Sequence, residues 1–176
     1  MIEPMAGVNS TALALLNKRF MPDEIEWRVG MSGFKSDGKT IYVMPLAYVT
    51  ARAIMNRLDL TVGPENWKDE YQYTPEGMLC GLSIKVGGEW IAKWDGSPES
   101  NQDGFKGSIS GALKRAAVKW GIGRYLYYLP QIYVDGIQNG TSKDGPERGK
   151  FTTADKKTIY YRWTPPKLPN EFLPEA

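Results

Sequence analysis

The chain has 176 residues, no histidine and a single cysteine, Cys80. Without histidine it lacks the commonest general base, the usual partner of a nucleophilic serine or cysteine, and the commonest zinc ligand. One cysteine excludes an intramolecular disulfide and fits a reducing compartment, and the alternating stretch around Cys80 favours a buried strand residue over a catalytic thiol. The carboxylates are scattered over predicted turns and helix starts. We therefore expect a protein that is not an enzyme and that needs no cofactor and no metal.

Long apolar runs are also missing. No run reaches the roughly 18 residues that a membrane-spanning helix needs, and residues 1–10 lack the basic start and apolar centre of a signal peptide. An apolar fraction of 41% and six tryptophans are enough for a folded core. We expect a soluble cytoplasmic protein without a membrane partner, which would lie in the host cytoplasm if a phage encodes it.

The order of local patterns predicts an α+β fold, in which one antiparallel sheet carries helices on a face. A helix, a β-hairpin, a second helix opened by Pro45, a three-stranded meander and a long helix are expected over residues 11–20, 25–44, 46–58, 67–95 and 105–128. Residues 138–150 are rich in Gly, Asn, Ser, Asp and Lys, which is typical of a flexible segment. We therefore predict a folded domain over residues 1–135 and a flexible C-terminal tail over residues 136–176.

The long helix has two faces on a helical wheel. The apolar stripe that we expect to face the core, with Trp120 as an anchor, consists of Phe105, Ile109, Ala112, Leu113, Ala116, Trp120 and Tyr127. The opposite side carries Lys114, Arg115 and Lys119, and between these cations it has small residues that would let a phosphodiester backbone approach, namely Gly107, Gly111, Val118 and Gly121.

No acidic residue occurs between Asp103 and Asp135. A solvated helix face normally mixes charges of both signs, so this pattern favours contact with a polyanion. The charge pattern alone leaves a merely solvated face as an open alternative. Gly121 and Gly123 would cost about 1 kcal/mol each inside a helix, and they indicate a break or a close packing point.

The run that begins at Ser110, Ser-Gly-Ala-Leu-Lys-Arg-Ala-Ala-Val-Lys-Trp-Gly, resembles the signature helix of the Rad-fifty-two superfamily of single-strand annealing proteins. That group includes phage Sak-type annealases and the bacterial DNA-damage-response A proteins. Two further matches are the run Pro-Asp-Glu-Ile-Glu-Trp-Arg that ends at Arg28, and Ile-Tyr-Val from Ile41 followed by a Gly-Pro-Glu-Asn-Trp loop from Gly63. The likeness covers residues 13–130.

The resemblance implies a β-β-β-α-type domain whose protomers form rings or filaments. It also implies a basic groove that holds the backbone of single-stranded DNA and leaves the bases available for pairing. The family's third helix cation falls at Val118, next to Lys119, and a further groove arginine falls at Ala47, one turn before Arg52. The DNA-binding residues that we expect are Lys114, Arg115, Arg28, Lys119, Arg52 and Arg124.

The function that follows is ATP-independent annealing of complementary strands in recombination and repair. A second hypothesis is an end-protecting or recombinase-loading module that anneals poorly and acts through partners bound by the tail, such as a single-strand-binding protein or a recombinase. A third is a structural or regulatory protein whose basic helix is solvated. The salt dependence of DNA binding separates the third from the others.

Overall fold

The computed structural model describes Val8 and residues 10–99 and 104–175, so residues 100–103 of the predicted polar loop before the long helix lie outside the described part. The helices are α1 Ser10–Leu15, α2 Ala51–Val62 and α3 Gly104–Lys119. The strands are β1 Ile25–Phe34, β2 Ile41–Val49, β3 Trp67–Thr74, β4 Gly77–Val86, β5 Glu89–Pro98, β6 Val134–Gln138, β7 Glu147–Thr152 and β8 Thr158–Trp163. Short 3₁₀ turns lie at Pro22–Glu24, Pro64–Asn66, Arg124–Tyr128 and Asn170–Phe172.

These elements form two compact units. The first contains the chain up to Glu24, residues 49–128 and the last residues from Pro174 on, and the second contains residues 25–48 and 129–173. The α+β class predicted from the sequence is confirmed, because the structure combines helices with strands whose recorded pairings are antiparallel. The units divide the chain differently from the expected domain over residues 1–135 and tail over residues 136–176.

In the first unit the predicted meander β3-β4-β5 forms a three-stranded antiparallel sheet. The turn at Gly87-Gly88, where both glycines have positive φ, joins β4 to β5. In the central strand Met78, Cys80, Leu82 and Ile84 share one buried face, and Gly81 and Ser83 between them are buried as well, so both faces of the middle of β4 are covered. Helices α2 and α3 supply buried aliphatic side chains to the same core.

Helix α2 begins later than predicted. Pro45 does not open it, since β2 continues to Val49 and Pro45 is a buried strand residue. The recorded pairing of β2 with β6 covers only Ile41 to Val43, so Pro45 lies beyond the ladder that would need its missing N–H. The helix is instead capped by Thr50, whose hydroxyl oxygen accepts a hydrogen bond of 3.1 Å from the Ala53 N–H.

Helix α3 ends earlier than predicted, at Lys119. Gly121 and Gly123 have φ values of 93° and 69°, which interrupt the helix and start the 3₁₀ turn. The helical wheel therefore placed the two ends of the apolar stripe incorrectly, because Phe105 is 57% exposed and Tyr127 is 68% exposed. The middle of the stripe, from Ala112 to Trp120, is buried as predicted.

The second unit holds a five-stranded sheet in the order β1-β2-β6-β8-β7. Three of its strands come from the region predicted as a flexible tail, which is a correction to that prediction. The signal was present in β8, where Ile159, Tyr161 and Trp163 alternate with exposed or half-buried residues and are buried. The polar turns on either side concealed it.

The core of this unit consists of Ile41, Val43, Ile159, Tyr161 and Trp163. Side chains from both edge strands reach that core, and the rings of Phe34 on β1 and Phe151 on β7 meet edge to face at 5.1 Å. A sheet whose first and last strands pack side chains on one core is strongly curled.

Candidate nucleic-acid interface

Helix α3 packs its apolar face on β4 and β5 of the meander. Ala112, Leu113, Ala116 and Ala117 are buried in that contact. Trp120 follows the helix, and its indole N–H donates a hydrogen bond of 2.9 Å to the Leu82 carbonyl oxygen on β4. Trp120 is thus a core anchor, as the sequence predicted, and not an exposed platform for a base.

The outer face of α3 carries the cations that the sequence singled out. The side chains of Arg115 and Lys119 are 54% and 49% exposed, and Lys114 is half-buried beside them. Since Arg115 and Lys119 are one turn apart, their charges lie on one side of the helix. The structure thus brings Arg115 and Lys119 together on one side of α3, and Lys114 lies about 100° around the helix from Arg115.

A carboxylate from β5 lies between two of these cations. Asp95 Oδ1 is 3.1 Å from Arg115 Nε, and Asp95 Oδ2 is 3.8 Å from Lys119 Nζ. The ammonium group of Lys119 also donates to the Trp94 carbonyl oxygen. The surface of α3 is therefore not free of acids, although its sequence is, because the counter-ion comes from the neighbouring strand. No pattern along the helix could reveal Asp95.

The electrostatics of Asp95 agree with this pairing. Partial burial acts to raise the pKa of the Asp95 carboxyl, but the Gly96 N–H bond, at 2.7 Å, and the charges of Arg115 and Lys119 outweigh it, and the pKa is lowered. The carboxylate is ionised at neutral pH and attracts both cations.

The small residues on α3 do not form an open path along the cations. Gly111 packs against Ser97 of β5, where a Cβ atom would collide with the serine side chain, and Gly121 is buried against Asn17. The hypothesis that glycines let a phosphodiester backbone approach is therefore wrong for Gly111 and Gly121. Their physical role is close packing of α3 and its C-terminal turn.

Arg124 stabilises the end of α3. Its Nε and Nη2 atoms donate hydrogen bonds of 2.8 Å to the carbonyl oxygens of Val118 and Lys119. Lys93 of β5 donates to the same Lys119 carbonyl oxygen at 3.0 Å, and its ammonium lies 4.2 Å from the centre of the Trp120 ring. Cations at a helix C-terminus satisfy its unpaired carbonyl groups and interact favourably with its dipole. Neither this role of Arg124 nor Lys93 was anticipated from the sequence.

Residues 33–40 match the letters of a phosphate-binding loop, Gly-x-x-x-x-Gly-Lys-Thr, a match that the sequence reasoning overlooked. The segment lies between β1 and β2 and no helix follows it, whereas the phosphate loop joins a strand to a helix. The Asp37 carboxylate accepts the N–H groups of Lys39 and Thr40, both at 2.8 Å, and the Thr40 hydroxyl. These bonds, the hydroxyl first, lower the pKa of Asp37 to about 2. The segment is a hairpin turn whose amides are occupied.

Residues 9–145 match the Rad52/22 family, described as double-strand break repair proteins. The chain belongs to this family. Two curated relatives are each named single-stranded DNA-binding protein DdrA. The one from Deinococcus radiodurans is 39% identical over 97 residues, which are 51% of this chain and 44% of the relative. The one from Deinococcus deserti is 37% identical over 91 residues, which are 51% of this chain and 45% of the relative. The chain thus spans less than half the length of either relative.

Two further arginines of this Rad52/22 family member were predicted to contact DNA. Arg52 is exposed in the first turn of α2, in the same compact unit as α3. Arg28 is exposed on β1 and belongs to the second unit. Their DNA-binding role stays a prediction.

Among the described residues, no group of three or more His, Cys, Asp or Glu side chains is arranged to hold a metal ion. In the same part of the chain, no helix is long and apolar enough to cross a membrane.

Proposed function

We propose that the chain binds the backbone of single-stranded DNA with the outer face of α3 and promotes ATP-independent annealing of complementary strands. The observation that carries the proposal is the pairing of a buried apolar face with an outer face of Lys114, Arg115 and Lys119 on one helix. The Rad52/22 family supports a role in recombination and repair, and the names of the two relatives support single-stranded DNA as the ligand.

Backbone binding follows from the chemistry of these side chains. Lysine and arginine neutralise phosphates and release counterions, which gives affinity without reading the sequence. In the absence of DNA, the Asp95 carboxylate neutralises part of the charge of Arg115 and Lys119. A phosphate offers the same charge and the same acceptor oxygens, so DNA would take over the role of Asp95 at these cations.

Annealing requires that the Watson–Crick edges stay accessible while the backbone is held. A homo-oligomer, either a ring or a filament, would extend the surface of one helix over many nucleotides. Bases held in a shared geometry pair with a second strand at a higher effective concentration, so no hydrolysis step is needed. For residues 136–176 we also propose contact with a protein partner such as a single-strand-binding protein or a recombinase.

Arg28, Arg52 and Arg124 are proposed as additional backbone contacts. Arg52 and Arg28 are exposed and would each add one phosphate. Arg124 already donates two hydrogen bonds to α3, and its guanidinium has further N–H groups to offer. It would therefore bind DNA in addition to its structural role.

The proposal is tested with the double variant Lys114→Gln/Arg115→Gln, which removes two cations and keeps hydrogen-bonding side chains. Binding of a labelled oligothymidylate is measured by fluorescence anisotropy at several salt concentrations. Losing two phosphate contacts should lower the magnitude of the slope of log K against log salt by about 1.4 for a single strand. Pairing of complementary oligonucleotides without ATP, followed by energy transfer, should slow in parallel.

Lys18→Gln/Lys85→Gln is the matched control, because it removes two cations of the same unit that belong to other elements, the segment after α1 and strand β4. Annealing and binding at the wild-type level in Lys114→Gln/Arg115→Gln would refute the site. Strong binding by the wild-type chain without faster pairing would favour the end-protecting or loading module. A salt slope near zero for the wild type would instead favour a structural or regulatory protein.

A further inference from the structure

We propose that the outer face of β7 and β8 is a second contact surface for single-stranded DNA, in the second unit and separate in residues from α3. The surface, called the β7–β8 face below, consists of Arg148, Lys150, Tyr160 and Arg162. Both strands lie beyond residue 145, where the match to the Rad52/22 family ends.

The register of the two strands places these side chains together. Arg148 is directly opposite Arg162, and Lys150 is directly opposite Tyr160. Opposite residues of an antiparallel pair point to the same face. The neighbours that alternate with them, Tyr161 among others, are on the buried side, so the four side chains share the outer face.

Two arginines directly opposite each other are unfavourable unless an anion lies between them. An open cleft of about 270 Å³ adjoins this pair, and none of the described residues that line it is acidic. The Arg162 guanidinium donates one hydrogen bond, of 3.1 Å, from Nη1 to the Pro146 carbonyl oxygen, which restrains the group. Its other N–H groups match a phosphate, since arginine binds phosphate through pairs of donors.

Two nearby acids, Asp144 and Asp135, have their own partners outside the residues that line the cleft. Asp144 accepts hydrogen bonds of 2.7 and 2.9 Å from the Thr141 N–H and hydroxyl. Asp135 forms an ion pair of 2.6 Å with Lys35. The described residues that line the cleft thus include Arg148 and Arg162 and no carboxylate, so the lining itself is positive.

The ligand that fits is a single strand of nucleic acid. Tyr160 is 60% exposed next to the cations, and an exposed ring beside basic groups offers stacking to an unpaired base. A duplex keeps its base faces inside, so it would use only the cations.

The proposal rests on the proposed function only in taking single-stranded DNA as the ligand. It is tested in the full chain with Arg148→Gln/Arg162→Gln, and the charge-matched control is Lys143→Gln/Lys167→Gln in the same unit. Binding of a labelled oligothymidylate should weaken several-fold in the first variant, and the magnitude of its salt slope should fall by about 1.4. The control should bind like the wild type.

A second pair of variants tests stacking and does not alter the charge. Tyr160→Ala should weaken binding by roughly fivefold or more, whereas Tyr160→Phe keeps the ring and should stay within about twofold of the wild type. Circular dichroism checks that each variant is folded. Wild-type binding in both Arg148→Gln/Arg162→Gln and Tyr160→Ala would overturn the proposal, even if Lys114→Gln/Arg115→Gln fails to bind. If only the β7–β8 variants weaken binding, this surface stands and the proposed role of α3 fails.

Discussion

Replacing Asp95 with asparagine should strengthen DNA binding and weaken the fold at the same time. Asparagine has almost the same shape as aspartate. Its side-chain oxygen can accept the hydrogen bond that the Gly96 N–H donates to Asp95 Oδ1 in the wild type, where the distance is 2.7 Å. It removes the negative charge that lies 3.1 Å from Arg115 Nε and 3.8 Å from Lys119 Nζ. The substitution thus isolates the charge of Asp95 from its size and its turn geometry.

The loss of stability should be modest. Both cations are about half exposed, and exposed ion pairs contribute only about 0.2–1 kcal/mol each, because water screens them. Two such pairs predict that the free energy of unfolding falls by about 1 kcal/mol in Asp95→Asn.

The gain in affinity has a similar magnitude and the opposite sign. A phosphate bound to Arg115 would lie about 7 Å from the Asp95 carboxylate, and repulsion at that distance is about 0.6–1.2 kcal/mol for effective dielectric constants of roughly 40–80. Removing it should tighten binding about three- to eightfold at low salt. The substitution also removes a group that orders the two cations, which would weaken DNA binding. This loss is limited, because Lys119 keeps its hydrogen bond to the Trp94 carbonyl oxygen. Repulsion should therefore dominate.

The assay pairs anisotropy titrations of an oligothymidylate with urea unfolding. Glu89→Gln is the control, since it removes one acid from the same strand about 20 Å away, at 3.3 Å per residue. Affinity in Asp95→Asn that equals or falls below that of Glu89→Gln would refute the reasoning, because it would place the phosphate path away from Arg115 and Lys119.

The remaining predictions concern stability. Arg124→Gln should lower the free energy of unfolding by about 1–2 kcal/mol through the lost bonds to the end of α3; an unchanged urea midpoint would contradict this capping role. Burial, with the nearby charge of Asp69, raises the pKa of the Cys80 thiol from 9.0 to about 11. The unfolded chain releases the thiol proton at a lower pH than the folded chain does. The contribution of Cys80 to the free energy of unfolding is therefore complete below pH 9 and is lost as the pH rises to about 11. The free energy of unfolding, measured with urea, should fall across that pH range, and it should fall less in Cys80→Ala than in the wild type. Equal declines in the two proteins would contradict a role of Cys80 in the pH dependence.

The parts of the fold that follow from local signals were predictable. The meander has turn residues at Gly77 and at Gly87-Gly88, and its central strand alternates, so its three strands are within a few residues of the structure. The middle of α3 was also predictable, since its apolar stripe has the helical period. The predicted end of α3 was too late, because the wheel assumed one axis up to Tyr127, although Gly121 and Gly123 had indicated the break that the structure contains.

In the second unit the β1–β2 hairpin was predicted, whereas strands β6 to β8 were missed for a different reason. Strand β8 pairs with β6 and β7, and β6 pairs with β2 from much earlier in the chain. A strand between polar turns gains its stability from such distant partners, and the composition around it resembled a flexible tail. The buried alternation of Ile159, Tyr161 and Trp163 was the local sign that could have identified it.

The charges of the site also depend on a partner that is distant in sequence. Arg115 and Lys119 are like charges one turn apart, an arrangement that costs a helix about 0.2–0.5 kcal/mol. The sequence of α3 provides no acid to offset that cost, and the structure provides it from β5 through Asp95. In the proposed binding mode, a carboxylate that pairs with both cations stabilises the chain while DNA is absent and competes with phosphate when DNA binds. That single residue therefore links stability to affinity, and this is why its substitution should move the two in opposite directions.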